Sequence, residues 1–283
     1  MPDTKMPDNN MPDNMSAAAL APYRVSAYNT AHDSENKIHD DATARRFGFG
    51  GGLVPGVDVY GYMSHMPVAR WGRAWLERGT AECRFFKPVY DGEIATVTAG
   101  EDAAGLEIIV ESRSERCATG RAALPATPAA AAAHALASFQ KVAQRAERPR
   151  ADETSLAVGT WLGLDPYPIT PETAAQHRAD LRETLPLYAE DGLIHPAMIL
   201  RACNFVINRN VALGPWIHVS SRIQHLAAAQ IGASLSARGR VTANYEHKGH
   251  RFVNVDVLVL ADETPVAHVV HLAIYQPRQV VGA

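Results

Sequence analysis

The stretch YNTAHDSENKIHDD, residues 28–41, brings Asp33, Ser34, Asn36 and His39 together within a few positions. A histidine whose unperturbed pKa lies near 6.5 can take up and return a proton at neutral pH. A neighbouring carboxylate favours the imidazolium that forms when it does. The same residue types also build capped turns, so the cluster has two readings until the elements around it are placed.

Those elements occur twice. After a short strand, YRVSAYN, and the polar cluster, residues 40–48 read as a two-turn helix with Asp40 as N-cap and Gly48 as stop. The segment GFGGGLVPG leads into a long apolar helix over 57–77, which Pro67 should kink. Four strand-like segments follow, TAECRFFKPV, EIATVTAG, LEIIVESRS and CATGRAAL. Beyond an Ala- and Pro-rich connector, 125–155, come a strand WLGLDPYPI, a helix over 171–183 opened by Thr170 and Pro171, a second apolar helix over 193–211 and four more strands. Pro55 and Pro196 stand before the two long helices, 141 residues apart; Gly92 and Gly232 stand in matching turns, 140 apart. Such constant spacing indicates duplication of one unit. The organisation expected is a disordered tail over 1–19, with its threefold Met-Pro-Asp repeat, an N-terminal unit over 20–124, the connector, and a C-terminal unit over 156–283. A long apolar helix is buried best by a sheet that curves around it, so the fold class is α+β.

Composition narrows the function. The 283 residues are 47% hydrophobic and 20% charged, with a net charge of −3, which offers no basic surface for nucleic acid or anionic membrane. No run is long enough to span a bilayer, and the N-terminus lacks the basic and apolar regions of a secretory signal. Cys83, Cys117 and Cys203 are few and scattered, which suits a reducing cytoplasm and neither a disulfide framework nor paired zinc ligands.

In its motif the N-terminal half resembles the MaoC-like (R)-specific enoyl-CoA hydratases. Their pattern runs aspartate, any residue, asparagine, proline, an aliphatic residue, histidine, followed by a Gly- and Pro-rich helix entry. Asn36, Ile38, His39 and LVPG match it; Lys37 replaces the proline, and Ser34 holds the aspartate position with Asp33 one residue earlier. The resemblance implies a double hot-dog fold, two antiparallel sheets each wrapped around a long central helix, with one active site because the second half lacks the motif. It implies reversible addition of water to a trans-2-enoyl thioester of coenzyme A or acyl carrier protein, without a cofactor. His39 would be base or acid, Asp33 its orienter or partner acid, and Asn36 would shape the loop or bind the water. Ser34 would fill the vacated aspartate position. The amide of Gly56, between Pro55 and Val57 at the helix start, would receive the enolate oxygen, since a helix N-terminus carries free N–H groups.

Two rivals stand beside this reading: a thioester hydrolase using Asp58 or Asp33, and a silent acyl-thioester-binding protein. Asp58 is expected as a first-turn charge favoured by the helix dipole, His65 as packed or solvated, and His195 as structural. The pairs His247/His250 and His268/His271 are not expected to bind metal, because three-residue spacing on a strand sends the rings to opposite faces. Arg45, Arg46 and Arg70 to Arg73 are candidates to meet phosphates or to form a solvated face. A homodimer is one arrangement such a fold allows.

Overall fold

The alternation of apolar and polar residues sets which side of each strand is buried. In the strand Gly105–Ser112, for example, Leu106, Ile108 and Val110 point inward while Glu107 and Glu111 face water. The computed structural model describes residues 20–126 and 136–278. The Met-Pro-Asp repeats and part of the connector lie outside the described residues.

The first half comprises β1 (Tyr23–Ser26), a 3-10 turn (Lys37–His39), α1 (Asp41–Arg46), α2 (Gly56–Trp71), α3 (Arg73–Arg78), β2 (Thr80–Phe85), β3 (Ile94–Asp102), β4 (Gly105–Ser112) and β5 (Glu115–Ala123). The second half comprises β6 (Trp161–Pro168), α4 (Pro171–Asp180), α5 (Leu187–Glu190), α6 (Pro196–Asn208), β7 (Ile217–His225), β8 (Ser234–His247), β9 (His250–Ala261) and β10 (Thr264–Gln276).

Each half has the same strand order. Outward from the middle, the first runs β2-β5-β4-β3-β1 and the second β7-β10-β9-β8-β6. Gly92 and Gly232 occupy equivalent turns, both at positive φ, 74° and 99°. The expectation of two separate sheets is corrected: β2 and β7 pair antiparallel, from Thr80 with Gln224 to Arg84 with Ser220, giving one ten-stranded sheet. An unpaired strand edge is a row of unsatisfied N–H and C=O groups, and each half satisfies the other's.

Helices α2 and α6 pack against each other and against the sheet. Buried residues occur on every side of α2, as expected of a helix enclosed by sheet and partner helix. Pro67 lies inside α2, which ends at Gly72, where the chain takes φ 57° before α3 begins. Connector residues 136–155 lie on the second half, with Phe139 packed on Leu258, Leu260 and Trp161. Among the described residues no helix is long and apolar enough to cross a membrane.

A buried charge cluster ties the halves together. Glu183, after α4, has a side chain only 2% exposed; it meets His65 of α2 at 2.9 Å and His195, the N-cap of α6, at 3.6 Å. The backbone amides of Thr184 and Leu185 also donate to it. Burial pushes its pKa up, but the neighbouring rings of His195 and His65 outweigh that and hold it well below the usual carboxylate value. Because the folded pKa is depressed, this stabilisation is complete above the unfolded value of about 4.5 and is lost as pH falls through the folded pKa. Glu183→Ala should therefore lower the unfolding free energy by about 3 kcal/mol at neutral pH. Urea titrations should show the gap to wild type narrowing below about pH 4.5; equal stability at neutral pH would contradict this account.

Candidate functional site

The polar cluster folds into a turn because Asn36 caps it. Its Oδ1 accepts from the Ile38 amide at 3.4 Å, and Ile38 is buried beside Ala44 and Leu53. The same carboxamide reaches the second half: Trp216 N–H donates to Oδ1 at 3.1 Å, and Nδ2 donates to the Trp216 carbonyl at 3.0 Å. Asn36 thus closes a two-point bridge between halves as well as capping its own turn.

This turn fixes the imidazole of His39. Nδ1 lies 2.6 Å from the Leu53 carbonyl, which can only accept, so Nδ1 carries the proton. That tautomer leaves Nε2 as the bare nitrogen, 3.3 Å from the Asn36 amide nitrogen. Asn29 steadies the backbone by donating from Nδ2 to the His39 carbonyl at 3.0 Å. Burial lowers the His39 pKa, opposed by the Leu53 carbonyl and the charge of Asp58, so the ring is neutral at pH 7.

His39 opens on a cavity of about 290 Å³ that both halves line. The first half supplies Asn36, Pro55, Gly56 and the ring of Phe85; the second supplies Asn204, Trp216 and His218. Gly56 is the first residue of α2, and no side chain caps that end. Its N–H has no intrahelical acceptor. A Cβ at this position would lie 3.0 Å from His218 Nδ1 and 3.2 Å from Phe85, so only glycine keeps this corner open. A second cavity of about 270 Å³ shares Asn36, His39, Pro55, Asn204 and Trp216 and adds Arg148, Arg201 and Arg209.

The expected site residues divide. His39, Asn36, Pro55 and Gly56 line the first cavity, and Val57 and Ser34 line the second. Ser34 donates to the Asn36 carbonyl at 3.2 Å, which supports the turn. Asp33 is exposed and lines neither cavity; the extra residue before the motif turns it to solvent. Asp58 is the first-turn charge expected of it. It is fully buried, with Oδ2 receiving Thr30 Oγ1 at 2.5 Å and Oδ1 receiving the guanidinium of Arg201. Both carboxylate oxygens are therefore engaged.

Other expectations also resolve. His195 caps α6 by accepting from the Ala197 amide at 3.2 Å. His247 and His250 do not alternate along one strand; they face each other across the β8–β9 hairpin, because Lys248 and Gly249 form its turn. His268 meets Asp256 on the outer face, while His271 is buried on the inner one. Among the described residues no group of three or more His, Cys, Asp or Glu is placed to hold a metal ion. Arg45, Arg70 and Arg73 pair with Asp41, Glu101 and Glu77, and none of them faces the cavities. Sequence reasoning missed Asn204, Trp216, His218 and Arg201, since only the duplication hinted that one half would wall the other's site. Asn36→Ala would orphan both backbone groups of Trp216 and should cost about 1–3 kcal/mol of stability in chemical denaturation; an unchanged midpoint would contradict the bridge.

No protein-family model matches the sequence, and no curated protein matches it. Solved structures do match in fold. A conserved Mycobacterium tuberculosis protein described as having a double hot-dog fold superimposes with TM-score 0.60 at 14% identity, over 91% of this chain and 96% of its own. A Chloroflexus aurantiacus J-10-fl protein described as a MaoC domain dehydratase gives 0.58 at 11% identity, over 92% and 94%. A protein described as a MaoC-like dehydratase gives 0.54 at 13%, over 90% and 97%. The chain has the double hot-dog fold, similar over nearly its whole length to that of MaoC-like dehydratases.

Proposed function

We propose that the protein reversibly adds water to a trans-2-enoyl thioester. The observation that carries this reading is that His39, protonated at Nδ1 and so able to take a proton at Nε2, and Gly56 at the uncapped start of α2 line one cavity. His39 takes a proton from water while the water oxygen bonds to Cβ, and the π electrons move toward the thioester oxygen. The Gly56 N–H receives that oxygen as charge builds on it. The imidazolium then returns its proton to Cα as the carbonyl re-forms. One O–H bond is broken, one C–O and one C–H bond are made, and the double bond becomes single.

Because one imidazole both takes and returns the proton, the cycle needs no second carboxylate, and Asp33 has no part in it. Asn36 holds the turn and presents its amide beside Nε2. Asp58 and its partner Arg201 act on His39 in opposite directions, the first favouring its imidazolium and the second disfavouring it. The hydrolase alternative requires a carboxylate facing the substrate, whereas Asp33 is exposed and both oxygens of Asp58 are engaged. Leu53, Val59, Phe85 and Ile217 would hold the acyl chain. The carrier's phosphates would meet the arginines of the adjoining cavity, where Arg209 lies over Phe205, 4.6 Å from the ring centre. The setting we propose is the reducing cytoplasm, in which the free buried cysteines Cys83, Cys117 and Cys203 stay thiols.

Turnover of short and long trans-2-enoyl-CoA by wild type and by His39→Ala tests the proposal. The variant should lose about 10²–10⁴-fold in kcat, and the product should be a 3-hydroxyacyl thioester. Release of free thiol would establish hydrolysis instead, and binding without turnover a silent carrier. His39 must be neutral to act as base, so kcat/KM should rise with pH through a midpoint below 6.5. A midpoint above 6.5 would contradict the assignment.

A further inference from the structure

His218, at the start of β7, is 6% exposed and comes from the half without the motif. Its Nε2 lies 2.8 Å from Ser221 Oγ, and Ser221 Oγ lies 2.9 Å from Nδ1 of His271, which is fully buried. The ring of Phe85 packs edgewise against His218 at 4.9 Å. The imidazole is therefore held on one nitrogen and along its edge. The other nitrogen, Nδ1, has no hydrogen-bond partner among the described residues. Buried polar atoms are nearly always paired, so an unpaired one on a side chain that lines a cavity calls for an explanation. Nδ1 borders the corner that Gly56 keeps open, 3.0 Å from where a Cβ would stand.

We infer that His218 is a second oxyanion donor, its Nδ1–H meeting the thioester carbonyl oxygen beside the amide of Gly56. The inference rests on the thioester reading of the cavity. Its proton bookkeeping closes. With Nδ1 protonated, Nε2 accepts from the Ser221 hydroxyl, and Ser221 Oγ accepts from His271 Nδ1–H. His271 Nε2 is then bare, in keeping with its having no partner among the described residues. Burial pushes His271 down to about 3, and burial and the neighbouring His271 push His218 well below its ordinary value. Both rings are therefore neutral at pH 7. A neutral imidazole donates a hydrogen bond to the developing enolate without giving up its proton, as a fixed dipole should. Ser221 and His271 are positioning residues, setting which nitrogen of His218 carries the hydrogen.

Two variants remove the donor while keeping bulk, His218→Phe and His218→Met. Each should lower kcat on a trans-2-enoyl-CoA by about 10²–10³-fold with little change in KM. Ser221→Ala should give a smaller loss in kcat alone. Bound cinnamoyl-CoA supplies a readout that packing would not move: polarisation of its carbonyl shifts its absorbance to the red. That shift should be present in wild type, present in His39→Ala, and lost in whichever of the two His218 variants folds by circular dichroism. Wild-type kcat and an intact red shift in a folded His218 variant, with His39→Ala inactive, would overturn the role of His218 and leave the hydratase reading standing. Full activity in His39→Ala would overturn that reading itself.

Discussion

The site depends on the pairing of β2 with β7. Those two strands are the inner edges of the two halves, and their union places the start of β7 over the start of α2. Trp216 and His218 reach the cavity only because of it, and Asn36 fastens the result by bonding both backbone groups of Trp216. A single copy of the repeated unit would present His39 and Gly56 to an open face. Duplication supplies the missing wall. The equivalent entry of α6, at His195 and Pro196, is closed by the Tyr188 ring at 4.7 Å and by the pairing of His195 with Glu183.

Buried charge is placed around the site and kept out of it. Asp58 of α2 meets Arg201 of α6, and Glu183 of the second half meets His65 of α2, so both pairs tie α2 to the second half. Isolated buried charges are costly, and pairing with further hydrogen bonds is what makes them tolerable. The rings inside the cavity, His39 and His218, have their pKa values lowered by burial and stay neutral.

The duplicated architecture was legible because it leaves periodic traces: Pro55 and Pro196, Gly92 and Gly232, two apolar helices and eight following strands. His39 and Gly56 were legible through local spacing, since a turn and a helix entry are built by neighbours in sequence. What spacing cannot reveal is a partner far along the chain. Asp58 was legible as a first-turn charge of α2, but its partner, Arg201, is 143 residues away. Asp33 failed for the opposite reason: in a turn of this tightness, one extra residue reverses the direction of a side chain. The continuity of the sheet was hidden because β2 and β7 carry the same alternation whether their edges are free or paired.

The central claim is that the thioester carbonyl sits at the start of α2 with the reactive carbons under His39. A crystal structure with a non-hydratable enoyl-CoA analogue tests it most directly. The account predicts the carbonyl oxygen at hydrogen-bond distance, about 3 Å, from the Gly56 amide nitrogen, with the Nε2 of His39 facing the Cα–Cβ bond. An acyl group lodged elsewhere, or a carbonyl turned away from Gly56 with His39 unengaged, would contradict it.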